Sequence, residues 1–146
     1  MVSLGSKLRN ATSAASKAGL ALAIALAMAA PAAPAFAADF NTGEMVGYGA
    51  SRYTAAQSKS TDSSVSLYVS SLWGYASVQV MAYRPWDGSA IDVGSPVGYI
   101  SYYPCSASLV NYVYENGYRD AMLKFTNLVN GGSNLSIVKG SWWADM

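Results

Sequence analysis

The chain has 146 residues, a formal net charge of +1, one cysteine and no histidine. The lack of histidine excludes Ser-His-Asp and Cys-His catalysis and imidazole metal ligands. A single cysteine excludes an internal disulfide and a cysteine-rich zinc site. Charged residues make up 12% of the chain, about half the usual share, which argues against a nucleic-acid-binding surface.

Residues 1–37 have the features of a helical secretory signal peptide. A basic start is followed by an apolar run at Gly19–Ala30 and by the small-residue sequence Ala35-Phe36-Ala37. The run is too short for a transmembrane span, which needs about 20 apolar residues. We expect cleavage before Ala38, with cleavage after Ala35 as the alternative. The expected product is a secreted bacterial domain, residues 38–146, with no stable membrane insertion.

Removal of this leader changes the properties of the chain. Three of the nine basic residues and none of the eight acidic ones lie in residues 1–37, so the remaining part has a net charge of −2. All but one of the aromatic residues remain. We therefore expect a slightly acidic, aromatic-rich single domain, large enough for one hydrophobic core without a disulfide.

Apolar residues in the expected domain recur with a period of two, which is typical of half-buried antiparallel strands. The first clear example is Ser64–Ser70, where Val65, Leu67 and Val69 share one face. The stretch Ala55–Ser63 is polar and is expected to be a loop. The expected strands are one within Met45–Thr54, Ser64–Ser70, Ser77–Arg84, Val97–Tyr103, Leu109–Tyr114, Tyr118–Thr126 and Leu135–Trp142.

Turn sequences separate these strands. Gly74 lies in a short link, which favours a hairpin between the strands on either side. Pro85–Gly88 predicts a turn, Asn116-Gly117 predicts a two-residue hairpin turn, and Asn130–Ser133 breaks the chain again. About seven strands without a helical period predict an all-β fold, a single antiparallel β-sandwich of immunoglobulin-like or jelly-roll size. A small barrel is the alternative.

No pattern in the sequence predicts an active site. The eight carboxylates are spread over turns, loops and both ends of the expected domain, whereas glycoside hydrolysis needs two at a set separation. Asp87 and Asp92 lack the dense acidic pattern of a calcium loop. We therefore expect a non-enzymatic protein without cofactor or metal. Cys105 is expected to be either buried or paired with a second chain.

Tyrosine and tryptophan are the one compositional excess. Neighbouring residues of a strand point to opposite faces, so Tyr102-Tyr103 and Trp142-Trp143 should each leave one ring outside. Exposed tyrosine and tryptophan suit protein recognition or stacking on sugar rings, although aromatic residues are also common in strands as cross-strand pairs. The candidate partner-binding residues are Trp73, Trp86, Tyr102 and Trp143.

Three segments carry a resemblance to a known group of proteins. They are Arg52–Val69, with K-S-T-D-S-S-V-S-L-Y-V, Asn111–Phe125, with N-Y-V-Y-E-N-G-Y, and Val138–Asp145, V-K-G-S-W-W-A-D. The chain resembles small secreted β-rich proteins of Gram-positive bacteria that have a signal peptide, a Gly-x-Trp-Ser-Pro-Asp tail and no assigned activity. Here Trp143-Ala144 stands in place of Ser-Pro. The resemblance implies secretion and the fold, and it adds no site residue.

Two functions fit these observations. The first is a secreted, non-enzymatic binding protein that contacts an unknown protein, a cell-envelope glycan or its own kind. The alternative is a receptor-dependent antagonist of the bacteriocin or toxin type. A membrane-lytic peptide is disfavoured because the expected domain is acidic and has no basic amphipathic helix.

Overall fold

A computed structural model describes residues 37–145, so the signal peptide predicted at residues 1–37 lies almost entirely outside the described residues. The described part contains eleven strands and no helix. They are β1 (Ala38–Asn41), β2 (Met45–Val46), β3 (Ser51–Tyr53), β4 (Gln57–Ser58), β5 (Val65–Trp73), β6 (Ala76–Arg84), β7 (Ser89–Ile91), β8 (Val97–Ile100), β9 (Cys105–Leu109), β10 (Asp120–Asn127) and β11 (Leu135–Trp143).

The strands form two antiparallel sheets, which confirms the all-β prediction. The first sheet has the order β1-β11-β5-β9, and β2 also pairs with β11. The second has the order β3-β10-β6-β7, with β4 beside β10 and β8 beside β6. The described residues form eleven strands instead of the predicted seven or so. The number is higher because several sheet edges consist of two short strands that pair with the same long strand. β3 and β4 both pair with β10, and β7 and β8 both pair with β6.

Both sheets contribute to one hydrophobic core. The side chains predicted to face inward, Val65, Leu67 and Val69 of β5, belong to the same buried cluster as Val78, Val80 and Ala82 of β6. Ala121, Leu123 and Phe125 of β10 are also fully buried, as their alternation predicts. Burial of each larger side chain contributes roughly 1.5–3 kcal/mol, so this cluster is the main source of stability.

The predicted hairpin on either side of Gly74 is wrong, because its two strands belong to different sheets. β5 pairs with β11 and β9, whereas β6 pairs with β10, β7 and β8. Gly74 has φ +78°, and a Cβ there would lie 2.5 Å from the Leu135 carbonyl oxygen and 2.6 Å from Val129 Cγ2. The short link is therefore an arch that passes from one sheet to the other, and it requires glycine.

The strand predicted at Leu109–Tyr114 is also wrong. β9 ends at Leu109, and residues 113–117 form a turn. The Asn111 side chain accounts for the change, since it donates to the Ser63 carbonyl oxygen at 3.1 Å and accepts from the Val113 amide at 3.4 Å. Such local side-chain bonds compete with strand pairing. The turn at Asn116-Gly117 exists, but it joins strands of different sheets.

Other differences concern the ends of the sheets. The predicted strand Val97–Tyr103 ends at Ile100, so Tyr102 and Tyr103 lie in a loop and both are exposed. β4 lies inside the stretch predicted to be a loop, Ala55–Ser63, and no sequence pattern predicts β1, β7 or β9. The turn at Pro85–Gly88 is confirmed by a bond from the Gly88 amide to the Arg84 carbonyl oxygen at 2.8 Å.

Candidate binding cleft

A small cleft opens beside the edge strands β8 and β9, one from each sheet. Its walls include Leu67, Val78 and Leu109, which also contribute to the core. The cavity has a volume of about 110 Å³, which is the scale of a small apolar group, since an engineered cavity of about 150 Å³ binds benzene. Core side chains are therefore accessible from the surface through this cleft.

Gly98 creates the space in this cleft. A Cβ built on Gly98 would lie 3.4 Å from Val78 Cγ1 and 3.6 Å from Leu109 Cδ2, which is ordinary van der Waals contact. Gly98 is not among the glycines with positive φ, so its backbone accepts a side chain. The cleft thus follows from the absence of one side chain on β8, not from an unusual backbone.

Two exposed tyrosines are among the residues that line the cleft. Tyr99 of β8 is 77% exposed and Tyr102 of the β8–β9 loop is 68% exposed, and both line the cavity. Exposed rings of this kind offer flat apolar surface with a hydroxyl at the outer end. The cleft therefore combines an aliphatic floor with exposed tyrosines beside it, an arrangement that offers apolar contact.

Cys105 begins β9 and also lines the cleft. Its thiol is free and half-buried. Burial raises the pKa of the Cys105 thiol above its usual value. Because the thiolate is the reactive form, this side chain is a weak nucleophile at neutral pH.

Trp73 and Tyr102 lie at the same end of the sheets, the end at which β5 passes to β6. Trp73 is the last residue of β5 and is 63% exposed. Ile100 pairs with Ala76, the first residue of β6, and Tyr102 follows two residues later. We call this the arch end. The exposed ring of Tyr75 belongs to it as well.

Trp86 and Trp143 lie at the opposite end. Trp86 is 76% exposed in the turn after β6, where the Arg84 guanidinium carbon lies 5.9 Å from its ring centroid and Arg84 Nη2 lies 2.7 Å from Asp87 Oδ2. Trp143 pairs with Ser66 near the start of β5 and is half-buried. The structure thus places the four candidate residues as two separate pairs.

Sequence reasoning missed the most densely bonded polar site in the described residues. Lys59, in the polar stretch expected to be a loop, is fully buried. Its ammonium donates to the Ser63 carbonyl oxygen at 2.6 Å, the Ala144 carbonyl oxygen at 2.8 Å and Asp145 Oδ1 at 3.0 Å. A lysine between serines in a polar segment gives no local signal of burial, because two of its three partners, Ala144 and Asp145, come from the far end of the chain.

Asp145 completes this site as an acceptor. Burial alone would raise the pKa of its carboxyl group, but hydrogen bonds from Ser60, Lys59 and Thr61 outweigh that effect and hold the pKa well below its usual value. Asp145 therefore stays ionised, and the pair is a fixed connection between the polar loop and the end of β11.

Metal-ligand clusters and membrane-spanning helices are both absent from the described residues. Within residues 37–145, no group of three or more cysteine, aspartate or glutamate side chains is placed to hold a metal ion. The same residues contain no helix long and apolar enough to cross a membrane.

Comparison with known proteins gives one match. A family model described as "Protein of unknown function (DUF2712)" matches residues 34–146. The curated proteins and the solved structures that were compared with the chain give no match.

Proposed function

The chain belongs to the DUF2712 family of proteins of unknown function, and we propose that it is a secreted, non-enzymatic binding protein. The observation that carries this proposal is the cleft beside β8 and β9, with its aliphatic floor and its two exposed tyrosine rings. Binding sites are commonly concave and mostly apolar, with a few polar groups, and this cleft has that character.

Secretion is supported by where the first strand begins. β1 starts at Ala38, the residue expected to follow the cleaved leader, and Ala38 pairs with Trp142. Cleavage before Ala38 would leave every strand intact. The proposed source is a Gram-positive bacterium, in line with the tail residues Gly140, Trp142 and Asp145, which match the Gly-x-Trp-Ser-Pro-Asp pattern.

We also infer that the two sheets pack face to face as a β-sandwich. Each sheet has four rows of strands, and their buried side chains form one cluster. Phe40 of the first sheet stacks on Phe125 of the second, with ring centroids 4.9 Å apart. A sandwich would place the binding cleft at one open side of the molecule, between an edge strand of each sheet.

The chemistry of the cleft favours a protein partner. No charged side chain lines it, whereas glycan sites add polar and charged groups to fix the hydroxyls of the sugar. A single aromatic or branched aliphatic side chain would fit the aliphatic floor. A cell-envelope glycan stacked on the exposed rings is the alternative that the experiment separates.

A pull-down from cell-envelope extracts tests this function. Protein spanning residues 38–146 should capture a specific partner, and the double variant Tyr99→Ala/Tyr102→Ala should lose at least tenfold in affinity. The matched control is Tyr53→Ala, since Tyr53 is an exposed tyrosine on the opposite edge of the same sheet. Equal capture by all three proteins would refute the cleft as the binding site.

The captured material also decides between the two partner classes. Loss of capture after protease treatment of the extract indicates a protein partner, whereas retention after protease and loss after glycosidase treatment indicates a glycan. Growth inhibition of neighbouring bacteria by the purified protein would instead favour the antagonist function.

A further inference from the structure

The loop Lys59–Ser63 surrounds the carboxylate of Asp145 with donors. Oδ2 accepts from the Ser60 amide at 2.8 Å and from the Ser60 hydroxyl at 2.7 Å. Oδ1 accepts from the Thr61 hydroxyl at 2.9 Å and from Lys59 Nζ at 3.0 Å. Longer contacts come from the Thr61 amide at 3.4 Å and the Ser63 hydroxyl at 3.5 Å.

Lys59 makes this loop a site for an anion. Its side chain has no exposed surface, and an ammonium group removed from water needs a nearby negative charge and hydrogen-bond acceptors. The two carbonyl oxygens of Ser63 and Ala144 supply acceptors. Only Asp145 supplies a negative charge to Lys59 within ion-pair distance in the described residues.

The donors lie on one short loop, whereas the acceptor comes from the other end of the chain. Asp145 is separated from Lys59 by 86 positions in the sequence, and its side chain keeps 15% of its surface exposed. The carboxylate is therefore not part of the loop that binds it, and it keeps contact with solvent. The loop offers backbone N–H, hydroxyl and ammonium groups together, which is the set that binds carboxylates and phosphates.

We propose that Lys59–Ser63 is an oxyanion-binding cradle that the chain fills with its own Asp145. When the Asp145 side chain is absent, an external carboxylate or phosphate occupies the same place and restores the lost bonds. This inference is independent of the proposed binding function, because the cradle shares no residue with the cleft.

Anion rescue of the variant Asp145→Ala tests the cradle. The thermal unfolding midpoint is measured in sodium chloride, sodium acetate and sodium phosphate at equal ionic strength. We expect Asp145→Ala to gain about 5 °C or more in acetate or phosphate relative to chloride, with a saturable dependence on concentration. The wild-type protein should show no saturable gain, because its own carboxylate fills the cradle.

Two control variants separate cradle binding from general salt effects. Asp62→Ala removes the same charge from an exposed side chain of the same loop and should behave as the wild type. Lys59→Met/Asp145→Ala removes the buried cation and should lose the rescue. A gain of equal size in this double variant, or no saturable gain in Asp145→Ala with either anion, would overturn the proposal.

Rescue by only one of the two anions supports the cradle and identifies its ligand as a carboxylate or a phosphate. If Asp145→Ala does not fold in chloride, its tryptophan fluorescence, to which the buried Trp142 contributes, is followed during refolding with added phosphate or acetate. Recovery of the folded signal with either anion supports the cradle, and no recovery with both overturns it.

Discussion

The ring of Phe40 stacks on the ring of Phe125, with centroids 4.9 Å apart and planes inclined by 23°. Phe40 belongs to β1 at the edge of the first sheet, and Phe125 to β10 near the middle of the second. β1 is therefore held in two ways, by backbone pairing with its neighbour β11 and by this ring contact with the second sheet.

We expect Phe40→Ala to lower the free energy of unfolding by about 2 kcal/mol, somewhat less than for a fully buried phenylalanine, because Phe40 is only partly buried. Urea denaturation followed by tryptophan fluorescence measures the loss. Val46→Ala, an exposed residue of β2, is the control and should change stability by less than about 0.5 kcal/mol. Equal losses in the two variants would contradict the importance of the ring contact.

The arch at Gly74 should tolerate no side chain. Gly74→Ala places a Cβ against the Leu135 carbonyl oxygen and Val129, so we expect a loss of at least about 3 kcal/mol. Gly88→Ala is a matched control, because Gly88 has a similar φ of +72° but open space around it. It should lose only about 1 kcal/mol from backbone strain. Similar losses at both positions in urea denaturation would show that the close contacts are relieved at little cost.

Filling the cleft should affect binding without harming the fold. Gly98→Ala adds a methyl group in ordinary contact with Val78 and Leu109, and loss of glycine flexibility in the unfolded chain adds about 0.4–1 kcal/mol of stability. We expect the variant to be as stable as the wild type or more so, while partner capture falls at least tenfold. A stable variant with unchanged capture would place the binding site elsewhere on the surface.

The ion pair at Asp145 should appear in the pH dependence of stability. Its folded-state pKa lies below the usual 3.8, mainly because hydrogen bonds from Ser60 and Lys59 overcome the effect of burial. The stabilisation is therefore fully present above about pH 5 and is lost as the pH falls toward the folded-state pKa. We expect the wild type to lose more stability than Asp145→Asn between pH 5 and pH 2, by about 1 kcal/mol once solvent screening is allowed for. Parallel stability curves for the two proteins would contradict the assignment.

The sequence predicts the long strands well because their alternation reflects burial directly. β5, β6, β10 and β11 lie where the pattern places them, and the alternating apolar residues of β5, β6 and β10 face the core. Their pairing is not predictable in the same way. The link at Gly74 is as short as that of a hairpin, and only contacts with residues far along the chain, Leu135 and Val129, distinguish it as an arch.

The candidate sites are also only partly predictable from the sequence. The exposure of Trp73, Trp86 and Tyr102 can be predicted from the sequence, because the chain has more tyrosine and tryptophan than a small core can bury and these three residues lie near turns. The cleft does not, because it depends on Gly98 standing opposite Leu109 of another sheet. Lys59 is missed for the same reason, since a polar segment is predicted to be solvated unless its distant partner is known.

The interrupted edges of the two sheets affect how separate molecules meet. Three of the four edges consist of two short strands with a break between them, β1/β2, β3/β4 and β7/β8. Breaks of this kind hinder edge-to-edge aggregation, which needs a long, straight row of free backbone groups. β9 is the uninterrupted edge, so the backbone of another chain would add most readily there, directly beside the cleft.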